Sequence, residues 1–287
     1  MTQTPPRTTL VSTAEAQAHL DDPRWILFDC RHDLADVEAG RRAYAVSHLP
    51  GARLAHLDEH LSATKTGRNG RHPLPDPQAF ARWLGEQGVG AGSQVIAYDA
   101  SGGYYAARLW WMLRWLGHDA VAVIDGGFPA WERESRPLTA EVPQPVAATF
   151  VARPRDDLRV DAQRVLAAIG SSSMQVVDAR TPERFAGRNE TLDPVGGHIP
   201  GAINRLFMLN LEADGRFKPA DTLRAEFRAL LGSRPAAEVV HQCGSGVTAC
   251  HNLLAMEVAG LAGSRLYPGS WSEWCADPAR PVETAVG

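Results

Sequence analysis

Four short sequence markers occur twice in this chain, in the same order and at nearly one spacing. Ile26-Leu27-Phe28-Asp29-Cys30-Arg31 is echoed by Val176-Val177-Asp178-Ala179-Arg180, and Ser47-His48-Leu49-Pro50-Gly51-Ala52 by Gly197-His198-Ile199-Pro200-Gly201-Ala202. Gln94-Val95-Ile96-Ala97-Tyr98-Asp99 matches Glu238-Val239-Val240-His241-Gln242-Cys243, and Gly126-Gly127-Phe128-Pro129-Ala130-Trp131 matches Gly269-Ser270-Trp271-Ser272-Glu273-Trp274. The offsets are 149 (Asp29 to Asp178), 150 (His48 to His198), 144 (Asp99 to Cys243) and 143 (Gly126 to Gly269). Ordered repetition at one offset implies a duplicated domain. A length of 287 residues agrees, since two cores of about 140 residues are expected at that size.

Within each copy, short Val/Ile runs alternate with longer amphipathic stretches, such as 78–87, 105–116 and 220–231. Fully apolar strands alternating with helices predict an α/β fold, each domain a parallel sheet with helices on both faces. Pro137, Pro143, Pro145 and Pro154 break the helical period between the copies, so this stretch reads as an extended connection. The expected boundaries are an N-terminal domain over 1–135, a linker over 136–157 and a C-terminal domain over 158–287. A formal charge of -4 gives no electrostatic reason to expect nucleic acid or an anionic membrane as partner. Apolar runs fall far short of the roughly 18 residues a spanning helix needs. Met1 to Arg7 lacks a basic segment leading into an apolar run, so no signal peptide is expected.

The chemistry concentrates in the second copy, where the strand 238–242 runs into Cys243-Gly244-Ser245-Gly246-Val247-Thr248 and then a helical stretch from Ala249. Strand, small-residue loop and helix place Cys243 at the carboxyl edge of a parallel sheet, where α/β ligands bind. Gly244 and Gly246 are expected to let the backbone curl so that successive N–H groups face inward as an anion nest. The positive end of the following helix adds to the field that favours a thiolate. A buried cysteine at a strand end is often only a small hydrophobe, but the flanking glycines and the hydroxyls of Ser245 and Thr248 favour a nucleophile. In the first copy Asp99 stands where Cys243 stands in the second, and a carboxylate cannot do thiol chemistry; that half is expected to be silent.

Cys30, Cys250 and Cys275 show no comparable setting, and none of the four cysteines forms a Cys-x-x-Cys pair. Reduced thiols in the cytoplasm are therefore expected, with neither a zinc site nor a thioredoxin-like redox motif. A cysteine phosphatase would carry an arginine six residues beyond its nucleophile, a place taken here by Ala249, which leaves a phosphoryl group without its bidentate clamp.

The duplicated frame, the two His-Leu/Ile-Pro-Gly-Ala motifs, Gly126-Gly127-Phe128 with Trp131, and Cys243-Gly-Ser-Gly-Val-Thr-Ala249 resemble the tandem rhodanese-domain sulfurtransferases, over nearly the whole chain. The resemblance implies an inactive N-terminal domain, a catalytic C-terminal domain and no metal or organic cofactor. The residues after the cysteine resemble those of the 3-mercaptopyruvate type, whereas thiosulfate-preferring members carry basic residues there. Arg184 matches a family arginine that binds the donor's carboxylate. A second family arginine has no counterpart in register within 187–194, where Arg188 is the nearest stand-in. Asp58 and His72 match members of a Ser-His-Asp-like relay that includes Ser245. His48 and His198 are expected to serve their turns rather than the chemistry.

The expected reaction is transfer of sulfur from 3-mercaptopyruvate through a Cys243 persulfide to cyanide or to a thiol such as thioredoxin. Gly244, Gly246, Val247 and Thr248 would line the donor site. Thiosulfate is the alternative donor. A non-catalytic persulfide carrier is the alternative from a different class.

Overall fold

Runs of buried Val, Ile and Leu build two parallel sheets in the computed structural model, which describes residues 5–284; Met1–Thr4, part of the N-terminal reading above, lie outside the described residues. The chain divides into two compact units. The first holds the residues up to Ala63 together with Pro75–Arg155 and Leu211–Phe217; the second holds Thr64–Leu74, Asp156–Asn210 and the residues from Lys218 onward.

In the first unit the strands are β1 (Leu10–Val11), β2 (Trp25–Asp29), β3 (Arg53–Leu54), β4 (Gln94–Tyr98) and β5 (Val121–Ile124), in the order β1-β5-β4-β2-β3 and all parallel. Every residue of β4 and β5 is buried, as expected of strands covered on both faces. One face carries Leu27, Ile96, Tyr98, Ala122 and Ile124 into a cluster with Ala16 of helix Thr13–Ala18 and with Phe128 and Trp131 of helix Gly127–Arg133. Strand alternation turns Phe28 to the other face, where it meets Trp83 of helix Pro77–Glu86 at 5.5 Å between ring centroids. That helix starts at a capped turn: Asp76 Oδ1 accepts from the N–H groups of Gln78 and Ala79, and Pro77 occupies the first turn. The proline-rich stretch after 136 lies along this unit, with the N–H of Ala148 donating to Gly85 O at 2.8 Å and that of Arg153 to Leu116 O at 2.9 Å.

In the second unit β6 (Gln175–Asp178), β7 (Ile203–Asn204), β8 (Val239–Gln242) and β9 (Arg265–Leu266) form a parallel sheet in the order β7-β6-β8-β9. Val176 and Val240 pack with Val165, Tyr267, Trp271 and Trp274, beneath helices Ala162–Ala168 and Ser270–Trp274. His241, one residue on, faces the opposite way and meets Met256 of helix Ala249–Val258.

The duplication holds at the level of single bonds. Asp29 pairs with Tyr98 across β2 and β4, and Asp178 with Gln242 across β6 and β8. Each acidic residue ends its strand bonded to the arginine two places on, Arg31–Asp29 at 2.6 Å and Arg180–Asp178 at 2.7 Å. Each guanidinium lies over a ring of the turn helix, Phe128 at 4.2 Å and Trp271 at 4.6 Å. The histidines of the Pro-Gly-Ala motifs take the same part in both units: His48 Nδ1 bonds Tyr44 O and its ring stacks on Tyr44, while His198 Nδ1 bonds Phe185 O and stacks on Phe185. Among the described residues no helix is long and apolar enough to cross a membrane.

Candidate active site

Cys243 follows the last residue of β8, and its neighbours hold it from every side. Its N–H donates to Ser270 Oγ at 3.1 Å, and its carbonyl accepts from the N–H of Trp271 at 3.0 Å. The N–H of Ser272 donates to Gly244 O at 2.9 Å, so the turn that carries the repeated Trp motif pins the loop. The chain then curls back and the N–H of Gly246 points at the Cys243 sulfur, 3.2 Å away. This turn needs φ of +79° at Gly246, where a Cβ would stand 2.2 Å from Pro268 O; both facts require glycine. Gly244 works differently from the curling role expected of it. Its φ lies outside the left-handed region, and what its missing side chain provides is room: a Cβ there would lie 2.6 Å from Arg71 Nη2 and 3.6 Å from both Arg184 Nη atoms. Val247 is buried, and Thr248 caps helix Ala249–Val258 without a side-chain hydrogen bond to its first turn.

Ser245 is buried in the loop, and its hydroxyl lies 2.8 Å from His72 Nδ1. His72 comes from Thr64–Leu74, the segment that packs with the second unit although it precedes most of the first in sequence. The structure thus joins two of the three residues matched to a relay. Asp58 belongs to the first unit, where its Oδ2 is 3.8 Å from His32 Nε2.

Arg184 stands in the short helix Pro182–Phe185, capped by Thr181, and reaches back toward Gly244. Its Nε and Nη2 donate to Glu190 Oε2 and Oε1 at 2.9 and 2.8 Å, and Nη2 also reaches Asp193 Oδ2 at 3.2 Å. Arg71 Nη1 bonds the other oxygen, Asp193 Oδ1. Burial pushes the Glu190 carboxyl up, but the Arg184 hydrogen bonds and the N–H groups of Leu192 and Asp193 outweigh it and hold it below the ordinary value. Arg188 is exposed, and its backbone N–H closes the turn onto Glu183 O. The guanidinium beside Arg184 at the loop is that of Arg71. Sequence reading passed over Arg71, Glu190 and Asp193. Arg71 is flagged only by standing next to His72, and the two acids only by following Arg184 within one loop.

The remaining cysteines differ from Cys243 in setting. Burial, reinforced by Asp99 and Asp29, pushes the Cys30 thiol well up, and burial raises Cys275 to about 11. Cys250 is fully buried on helix Ala249–Val258 and donates to Gly246 O at 3.3 Å. At the first unit's counterpart of the loop, the Asp99 carboxylate accepts from the N–H groups of Ser101, Gly103, Tyr105 and Ala106 at 2.7 to 3.0 Å. There the inward N–H groups are taken up by the loop's own side chain. Two groups of side chains, His32–His56–Asp58 and Glu38–His56–Glu59, have potential metal-ligand atoms within 4.8 Å of one another; both lie in the first unit and neither includes Cys243.

The site is a cysteine in a tight turn, its sulfur facing the Gly246 N–H, with the guanidinium groups of Arg71 and Arg184 beside Gly244. The Rhodanese-like domain family matches residues 12–134 and 161–277. A probable 3-mercaptopyruvate sulfurtransferase of Pseudomonas aeruginosa is 46% identical over 277 residues, covering 96% of this chain and 98% of that one. Thiosulfate sulfurtransferase of Gallus gallus is 36% identical over 242 residues, covering 82% and 80%. Among solved structures, SseA from Escherichia coli, a 3-mercaptopyruvate sulfotransferase, superposes with a TM-score of 0.80 at 31% identity, over 92% of this chain and 99% of that one. The chain belongs to the rhodanese-like family, with two rhodanese-like domains in tandem.

Proposed function

We propose that this chain is a sulfurtransferase that takes sulfur from 3-mercaptopyruvate and delivers it, through a persulfide on Cys243, to a thiol or to cyanide. The observation that carries the reading is Cys243 itself, its sulfur facing the Gly246 N–H at 3.2 Å with Arg184 beside the neighbouring glycine. The Cys243 thiolate attacks the donor's sulfur, so an S–S bond forms as the C–S bond breaks. The electron pair of that bond passes to the three-carbon fragment as the pyruvate enolate, which takes up the donor's thiol proton. Loop N–H groups stabilise the anionic sulfur. Ser245 and His72 carry the proton between donor and leaving fragment, and Arg184 holds the donor's carboxylate through charge-assisted hydrogen bonds. An acceptor thiolate then attacks the outer sulfur and releases the Cys243 thiolate. Thioredoxin is a candidate acceptor, and four reduced thiols fit a cytoplasmic setting. The family resemblance supports Asp58 as the third relay member, Arg188, Val247 and Thr248 as lining residues, and domains over 1–135 and 158–287 with the first silent.

Thiosulfate is the second reading, favoured by one observation: the guanidinium groups of Arg71 and Arg184 both adjoin the loop, an arrangement suited to a dianion. Comparing kcat/KM for the two donors on one preparation decides between them. Cys243→Ser is expected to abolish transfer from both, and retained transfer would overturn the mechanism. Turnover of free donor and cyanide by the purified chain separates an enzyme from a persulfide carrier.

A further inference from the structure

The carboxyl ends of β2 and β3 bring three side chains with metal-binding chemistry together inside the first unit. The two strands pair in parallel with Asp29 opposite Leu54, and the N–H of Ala55 donates to Asp29 O at 2.8 Å. Just past that rung, His32 follows β2, and His56 and Asp58 follow β3, at the sheet edge where α/β folds take ligands. One nitrogen or oxygen of each lies within 4.8 Å of those of the other two. His32 Nε2 is 3.8 Å from Asp58 Oδ2, and the His32 and His56 rings meet edge to face at 5.4 Å between centroids. The His32 and His56 side chains are 0% and 2% exposed and that of Asp58 is 23% exposed, so the cluster is buried and meets solvent at its carboxylate.

Val37 fixes the tautomer of His56. A carbonyl oxygen only accepts, so the 2.9 Å contact of His56 Nε2 with Val37 O puts the ring proton on Nε2 and leaves the lone pair on Nδ1. That Nδ1 is buried and makes no hydrogen bond. An imidazole oriented through one nitrogen by a backbone carbonyl, with the other nitrogen kept as a donor of electrons, is the arrangement found behind metal ligands. Around a tetrahedral ion with bonds of about 2.0–2.1 Å, ligand atoms stand about 3.3 Å apart, so side-chain shifts of about an ångström close the set. Two imidazoles and one carboxylate suit a borderline ion such as zinc, whereas magnesium and calcium call for a shell of oxygens.

We propose that His32, His56 and Asp58 form a zinc(II) site with three protein ligands and an open fourth position. Asp58 is shared with the relay proposed above, but metal binding is read without turnover and stands apart from that reading. The test is calorimetric titration of the reduced, chelator-treated full chain with zinc chloride, repeated on Cys243→Ser to remove the reactive thiol as a competing ligand. Cys243→Ser is expected to bind a single equivalent with micromolar or tighter affinity and to give no response to magnesium. Cobalt(II) added in place of zinc should show the visible bands of a nitrogen and oxygen set without the near-ultraviolet charge-transfer band of a thiolate. In the same background His56→Gln and Asp58→Asn should each weaken zinc binding by about tenfold or more. Asp58→Asn is isosteric and partly exposed, so it keeps the test open if His56→Gln does not fold. Three results overturn the proposal: no zinc uptake by Cys243→Ser at micromolar concentration, a thiolate band with cobalt, or zinc affinity that stays within twofold in the ligand variants.

Discussion

His72 Nδ1 lies 2.8 Å from Ser245 Oγ although the two residues are 173 positions apart, and both are buried. The pair places a titratable ring against the hydroxyl two residues after Cys243. A serine alone is a poor proton carrier near neutral pH, whereas one bonded to an imidazole can pass a proton in either direction.

Removing either member should therefore slow the chemistry. Ser245→Ala and His72→Asn are each expected to lower kcat for sulfur transfer by about 10²-fold. The double variant should be little worse than either single one, because the two act as one unit. Steady-state kinetics on the three variants check this; additive losses would mean that the residues act separately.

Gly246→Ala should disable the loop. It places a side chain at φ of +79°, with a Cβ 2.2 Å from Pro268 O. The cost is at least about 2 kcal/mol of stability. The shifted backbone should also withdraw the N–H from the Cys243 sulfur. Denaturant melts and donor turnover are the measurements, and a stable, active Gly246→Ala would contradict the loop geometry.

Asp99→Ala leaves four N–H groups of the first unit, three of them buried and that of Ser101 half-buried, without their acceptor. A loss of roughly 2–4 kcal/mol is expected, because buried donors deprived of a partner carry their full desolvation cost. Asp99→Asn, which keeps one acceptor oxygen, should lose less. Chemical unfolding of the two variants ranks them.

Acid should destabilise the fold before the carboxylates titrate. Burial, with the Arg205 charge, holds His241 at about 3, and burial holds His60 at about 4 despite the opposing pull of Glu59. In the unfolded chain both titrate near about 6.5, so the unfolded state binds more protons between these limits. Stability is then complete above about 6.5 and falls as pH drops toward the folded values, with a slope approaching about 1.4 kcal/mol per pH unit for each histidine. His241→Gln should flatten that slope in a series of melts from pH 7 to 4.

The repeat carried most of the architecture. The Asp29/Asp178 and Asp99/Cys243 correspondences read from sequence reappear as strand register, Asp29 opposite Tyr98 and Asp178 opposite Gln242. Strand and helix periods are local, so stretches such as 220–231 were legible without a fold. Gly244 shows the limit. Two glycines in one loop look alike in sequence, yet one is required by a left-handed φ while the other leaves room for the guanidinium arriving from Arg71.

Cys243 stood out from sequence alone, because a strand–loop–helix turn that presents a cysteine is built from neighbouring residues. What surrounds it was decided by tertiary structure. Arg71 and His72 reach the loop from a segment about 170 residues earlier, which packs with the second unit, and Asp193 joins Arg71 to Arg184. Side chains brought together by packing leave no spacing in the sequence, so the charge around the thiol became visible only when the chain closed on itself.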